Sequence, residues 1–419
     1  MKIKYVAALI VLILIQSVLS ENHAQTVTQW RGVDRTGYFP SNNLLREWPA
    51  EGPELFLQID SLTASYSTVV LHDNVMYTTG ISDDEEFLTA INLDGTLRWN
   101  IAYGKAWDKT FSNARCTPTI EGDNAYVISG SGNLACINIQ QGNLKWSFDG
   151  FDKFSGLSGR WGVAESPLIV DNKMIYTPCG EKTTMVAVDK NRGETIWVSE
   201  SLGDQSAYCS PALTEIGQYK LIITVTGNYV ICVNAENGEI FWKFEYTNVD
   251  KPLTGEDINP VTPIIIGRDV FVTSGYNHVG IMLHMANDYR SVSMKWKTSD
   301  LDVHHGGVVY HDGYLYGANF TGIRKGNWVC LDWETGTVQY EEEWYAKGSM
   351  ITSDGLLICY EERRGNIALV EATPDEFAIK STFRIEQGKG PHWSHPTIYD
   401  DKLFIRHGKS LMVYNIGVN

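Results

Sequence analysis

The chain lacks the short motifs that announce a hydrolase, a phosphate-binding site or a redox dithiol. There is no Gly-x-Ser-x-Gly elbow, no Walker loop and no His-Glu-x-x-His helix. Gly130-Ser131-Gly132 reads as a hairpin turn, not a phosphate cradle. None of the 7 Cys are adjacent, and no Cys-x-x-Cys or Cys-x-x-Cys-His occurs. That excludes a thioredoxin-like site and a c-type haem attachment. Basic residues are scarce, with Lys and Arg totalling 34 against 50 Asp and Glu. The resulting net charge of −16 disfavours nucleic acid and anionic membrane surfaces, both themselves negative.

Long apolar runs are also missing, apart from Val6 to Ile15. Lys2 and Lys4 precede that run, and Val18-Leu19-Ser20 follows it. This is the layout of a secretory signal peptide over residues 1–20, with cleavage as late as residue 25 as the alternative. The run is too short to span a bilayer, so no transmembrane segment is expected after cleavage. The first Cys is Cys116, which leaves no lipid-anchor Cys near the cleavage region. The expected location is periplasmic or extracellular, as a non-lipoprotein.

Aromatic residues and glycine are abundant, with 13 Trp, 21 Tyr and 38 Gly, and they are periodic. Trp99, Trp146, Trp197, Trp242, Trp296, Tyr340 and Phe383 recur about every 43 to 54 residues. Gly95, Gly142, Gly193, Gly238 and Gly336 stand four residues before their aromatic. Ahead of each Gly lies a small residue, an apolar one and then Asn or Asp, as in Ala187-Val188-Asp189 and Cys330-Leu331-Asp332. Asn and Asp open turns and Gly supplies positive φ, so the unit is strand, tight turn, strand. Cys136, Cys232 and Cys330 take the place of Ala and read as small buried hydrophobes.

Two more strands lie upstream in each period. One is a short apolar and aromatic run such as Val75-Met76-Tyr77 or Tyr314-Leu315-Tyr316. The other opens on a Pro pair: Thr117-Pro118, Ser166-Pro167, Ser210-Pro211, Thr262-Pro263 and His395-Pro396. Pro cannot donate to a ladder, so this strand is an edge, and in a propeller blade it is the one facing the channel.

Four strands per period and repeats starting near residues 64, 114, 164, 207, 259, 304, 347 and 392 predict an all-β, eight-bladed β-propeller of four-stranded antiparallel blades. Seven blades is the alternative. The last repeat runs out at Tyr414, and Leu55–Ile59 has no repeat of its own. That N-terminal strand is expected to close the ring. Residues 21–54 form a strap, and 55–419 the propeller.

The segment from Ala187 through Asp189 and Gly193 to Trp197 resembles the tryptophan-docking repeat of PQQ-type quinoproteins. Cys330, Asp332, Thr335, Gly336 and Tyr340 match with Cys for Ala and Tyr for Trp, while Cys136–Trp146 and Cys232–Trp242 carry Asn for Asp. The resemblance is to the quinoprotein alcohol dehydrogenase-like superfamily. That group includes PQQ-dependent alcohol dehydrogenases, the propeller lipoprotein of outer-membrane protein assembly, and exported bacterial proteins of uncharacterised role. Gln29-Trp30-Arg31-Gly32 and Trp48-Pro49 are similar to the last group.

In such a ring the loops entering the inner strands converge on one face as a ligand funnel. The aromatic candidates there are Tyr66, Trp161, Tyr208 and Trp393, and the cationic ones Arg115, Arg160 and Lys347. Glu165, Asp257 and Asn259 add oxygen ligands, and His304, His305, His392 and His395 add imidazoles. The resemblance implies a possible PQQ and Ca²⁺ site: the cations for the PQQ carboxylates, Trp161 or Trp393 for stacking, and the three oxygen donors for Ca²⁺. Glu165 or Asp257 would then be the catalytic base. The dehydrogenases are longer and many carry an adjacent Cys pair, which this chain lacks. The imidazoles read as channel lining, because the Lys347 blade separates the two groups and adjacent His point apart on an extended chain. The leading expectation is a binding or scaffold propeller that holds a small molecule, a glycan or a partner protein. The alternatives are a PQQ/Ca²⁺ oxidoreductase of alcohols or sugars, and a scaffold like the outer-membrane protein assembly factor. The oligomeric state is left open.

Overall fold

The structure is a computed structural model that describes residues 27–250 and 258–418. The signal-peptide segment and Asp257 lie outside the described residues. Eight four-stranded antiparallel sheets form the blades of the ring. Their innermost strands are Val70–His72, Thr119–Glu121, Leu168–Val170, Ala212–Ile216, Ile264–Ile266, Val309–His311, Gly348–Ser353 and Thr397–Tyr399, defining blades 1 to 8. Pro118, Pro167, Pro211, Pro263 and Pro396 each stand one residue before such a strand, where a missing N–H costs the ladder nothing. The helix Gly150–Phe154, one turn long, caps a strand end.

Blade 8 is closed by Glu54–Ile59, which pairs antiparallel with Ser410–Asn415, Glu54 opposite Asn415 and Ile59 opposite Leu411. The first and last strands of the described chain thus share one sheet, and the ring has no open seam.

The repeat pattern has a packing reason. Ala90, Cys136, Ala187 and Cys232 pair directly with Trp99, Trp146, Trp197 and Trp242. A small residue opposite lets each indole lean onto the next blade. There Trp99, Trp146 and Trp197 lie against Gly142, Gly193 and Gly238, and Trp296 lies against Gly336. Their indole N–H groups donate to the carbonyls of Ile139, Lys190, Ala235 and Trp333 at 3.1–3.2 Å. Trp242 Nε1 has no such acceptor, and the corresponding turn of blade 5, around Ala286 to Tyr289, carries no Gly. All seven Cys are buried free thiols.

The strap from residue 27 crosses the face opposite the funnel and sends two arginines into the channel. Asn43 and Arg46 hydrogen-bond Asp401 and Asp354, in the first turns of blades 8 and 7. Arg35 donates to the carbonyls of Ser166, Pro167 and Pro211, and Arg31 to those of Val308 and Met350. These are inner-edge carbonyls without a ladder partner of their own, so the two guanidiniums satisfy the channel wall.

Candidate functional site

Each inner strand starts at the funnel face, and the second strand of the blade returns to it. Two sets of loops therefore meet there: those entering inner strands and those joining second to third strands. Together they enclose a cavity of about 680 Å³, within the range of small-molecule sites. Tyr66, Arg115, Trp161, Tyr208, His304, His305, Lys347, Trp393 and His395 line it.

One wall is a cluster around Trp393, with the rings of Tyr66, Phe111 and His305 at 5.1, 5.3 and 5.2 Å between centroids. Trp161 and Tyr208 form a second pair at 5.6 Å. The third group is Tyr276, His304 and Phe320, with Tyr276 at 4.6 and 5.1 Å from the other two. Phe111 and Tyr276 adopt positive φ, 46° and 58°. A bulky side chain bears that conformation only where its surroundings impose it, and such residues gather at functional sites.

The floor is Trp30, whose ring lies 4.4 Å from that of His395. Arg31 beneath it donates to His395 Nδ1 at 2.9 Å, and His395 Nε2–H donates to the carbonyl of His305 at 2.8 Å. An arginine cannot accept, so His395 is the neutral Nε2–H tautomer. Burial and the Arg31 charge hold its pKa well below the usual value.

Beside the floor stand His304, His305 and Glu362. The pair is followed by Gly306 and Gly307, and both glycines are sterically required. A Cβ at 306 would meet the Gly348 carbonyl at 1.8 Å, and one at 307 would meet the Arg31 guanidinium at 2.3 Å. His304 Nε2 hydrogen-bonds Tyr276 Oη at 2.8 Å. Glu362 Oε1 takes the ammonium of buried Lys347, while Oε2 lies 3.4 Å from His305 Nε2. Burial lowers both imidazole pKa values, so the rings are neutral at physiological pH.

Across the funnel, Arg115 Nη2 donates to the carbonyls of Thr110 and Phe111 at 2.9 and 2.7 Å. Behind it, burial pushes the Glu86 carboxyl up to about 7, against hydrogen bonds from Tyr103 and the Gly130 N–H that favour its ionised form. Four buried polar atoms of the funnel have no hydrogen-bond partner among the described residues: Trp30 Nε1, Arg115 Nη1, His304 Nδ1 and His305 Nε2.

Several expected residues stand elsewhere. Glu165 is buried behind the wall, accepts from Thr177 N–H and Oγ1 at 3.1 and 3.3 Å, and burial raises its pKa to about 8. Asn259 spends its amide N–H groups on the carbonyls of Thr226 and Gly227. His392 stacks on His407 at 3.7 Å and hydrogen-bonds Tyr360. Arg160 lies outside the cavity lining, its guanidinium 5.5 Å from the Trp161 ring. The expectation that His304 and His305 point apart also fails: their rings are 4.3 Å apart, because residues 301–306 are not a strand.

Tyr276, Phe320 and Glu362 sit on second-to-third strand loops, and these three loops lack the Pro pairs that mark loops entering the inner strands. Periodicity could have flagged both sets, since both fall at fixed positions in each repeat. Trp30 and Arg31 were visible as the Gln-Trp-Arg-Gly segment, but a strap gives no sign in sequence of entering the channel.

The two described donors expected for Ca²⁺, Glu165 and Asn259, do not converge. The Glu165 carboxyl is turned to Thr177, with burial raising its pKa to about 8, and Asn259 lies against blade 4. Glu362 is the carboxylate among the described residues that lines the cavity, and it offers one free oxygen, since its Oε1 is paired with the Lys347 ammonium. Hard cations need several oxygen ligands, so the described residues do not fit PQQ held with Ca²⁺.

The family described as outer membrane protein assembly factor BamB matches the chain over residues 42–153 and 83–342. An uncharacterized protein of Rickettsia conorii is 22% identical over 246 residues, covering 49% of this chain and 56% of that protein. The chain thus matches just over half the length of that relative. The crystal structure of BamB from Moraxella catarrhalis is similar at a TM-score of 0.64 and 11% identity, covering 87% of this chain and 99% of that one. A europium-containing methanol dehydrogenase gives a TM-score of 0.67 at 11% identity, covering 92% and 90%. At these identities the structural likeness is one of fold.

Proposed function

The chain belongs to the family of outer membrane protein assembly factor BamB, and we propose that it is an exported binding propeller whose aromatic funnel holds a compact ligand or one short segment of a partner polypeptide. The observation that carries this reading is the set of four unpartnered polar atoms inside an aromatic-walled cavity of about 680 Å³. A buried polar group without a partner costs about 1–3 kcal/mol. A ligand that supplies the partners removes that cost, and the ring faces of Trp393 and Trp161 supply contact area. Export rests on the signal-like segment at residues 1–20. Among the described residues, no helix is long and apolar enough to cross a membrane.

A second reading, a scaffold in outer-membrane protein assembly, is favoured by the family match. It shares the funnel face as the docking site for a polypeptide. The third, a PQQ/Ca²⁺ oxidoreductase of alcohols or sugars, draws on the likeness in fold to the methanol dehydrogenase, and the donor geometry counts against it. Calorimetric titration of the mature chain with PQQ, with and without Ca²⁺, separates this third reading from the first two. Silence in both titrations is the expected result, and tight Ca²⁺-dependent binding overturns the binding-propeller reading.

A further inference from the structure

We propose that His304, His305 and Glu362 form a mononuclear site for a divalent transition metal of the Zn²⁺ class on the wall of the funnel. One ligand atom from each of the three residues lies within 4.8 Å of the other two. Ligand atoms on one ion with bonds of about 2.0–2.2 Å stand somewhat closer together than this, so the triangle must contract on binding. His304 Nδ1 and His305 Nε2 have no hydrogen-bond partner among the described residues, so each imidazole keeps one nitrogen available to an ion.

The surroundings match those of metal-bound imidazoles and carboxylates. The other ring nitrogen of His304 is fixed by Tyr276 Oη at 2.8 Å. Lys347 takes Oε1 of Glu362 and leaves Oε2 facing His305. Such outer partners set tautomer and orientation before the ion arrives. Two imidazoles and one carboxylate select a borderline metal over Ca²⁺, which requires more oxygen. Three protein ligands leave at least one position open, and here it faces the cavity. The site therefore places a Lewis acid beside Trp393, and water or a ligand oxygen completes its coordination. This inference stands apart from the funnel-ligand reading, because its readout is Zn²⁺ binding itself and not capture of a funnel ligand.

The test is calorimetric titration of the chelator-treated mature chain with Zn²⁺, with Ca²⁺ as the contrast. Expected are one Zn²⁺ per chain and at least tenfold weaker binding in His304→Ala and in His305→Ala, with His72→Ala like wild type. Intrinsic tryptophan fluorescence should change on Zn²⁺ addition in wild type and not in His305→Ala, since the His305 and Trp393 rings are 5.2 Å apart. Near-UV circular dichroism confirms that each variant is folded, and His305→Gln replaces His305→Ala if the latter is not. Absence of Zn²⁺ binding, equal binding by wild type and the His304 and His305 variants, or Ca²⁺ binding as tight as Zn²⁺ each overturns the proposal.

Discussion

Trp99 of blade 1 rests on Gly142 of blade 2 so closely that a Cβ at 142 would stand 2.5 Å from the indole Cγ. Gly142 also has a φ of 64°. Gly142→Ala therefore meets both a steric and a backbone penalty, and we expect a loss of about 2–4 kcal/mol. Trp99→Ala removes the indole and its bond to the Ile139 carbonyl and should cost about 3–5 kcal/mol. The double variant should lose less than the sum, since both changes strike one contact. Urea unfolding of the four proteins reads all three values.

Arg31 joins the strap, the channel wall and the site floor. Its guanidinium serves the carbonyls of Thr36, Val308 and Met350 and the ring of His395. Arg31→Ala leaves these acceptors buried and unpaired, at about 1–3 kcal/mol for each that water does not reach. Thermal unfolding should show a large drop in Tm. Arg31→Lys should recover little of it, because an ammonium cannot span acceptors on two inner strands in one plane.

Glu165 and Glu86 make stability depend on pH. Burial raises their folded-state pKa values to about 8 and about 7, above the ordinary carboxyl value of 4.5. Between these limits the unfolded chain is ionised and the folded one still holds its protons. Their contribution is complete below about 4.5 and is lost as pH rises through 7 to 8. A glutamine mimics the protonated acid at every pH. Glu165→Gln should thus gain stability relative to wild type from about pH 4.5 upward, with the gain levelling off above pH 8. Chemical denaturation at a series of pH values checks this, and a constant difference contradicts it.

Arg115 and Arg160 separate the funnel from its rim. Arg115 lines the cavity and leaves Nη1 unpartnered, whereas Arg160 lies outside the lining. Ligand affinity should fall at least tenfold in Arg115→Ala, the loss of one charge-assisted hydrogen bond of about 1.5–3 kcal/mol. Arg160→Ala should change it less than twofold. Fluorescence titration with any identified ligand measures both.

The propeller was legible in the sequence because its determinants are local and repeated. Gly193 and Trp197 sit four residues apart, and Pro167 marks the channel edge within the same repeat. The closing strand Glu54–Ile59 was legible by elimination, as a strand without a repeat. The site was legible in part. Trp393 and Arg115 stand on inner-strand loops, whose convergence follows from the ring alone. Glu165 lies on the same kind of loop and was expected in the cavity, but its carboxyl folds back on Thr177. A side chain's direction at a loop is set by tertiary contacts that the repeat does not encode. Glu362 meets His305 from the neighbouring blade, 57 positions away in sequence, and only the ring brings them together.

The central claim is that the aromatic funnel is the binding site. It is tested most directly by probing peptide and glycan arrays with the mature chain and with the Trp161→Ala/Trp393→Ala double variant, both shown to be folded. The account predicts a defined set of wild-type binders, each lost or weakened at least tenfold in the double variant. Binding equally strong in both proteins, or no binder on either array, would contradict it.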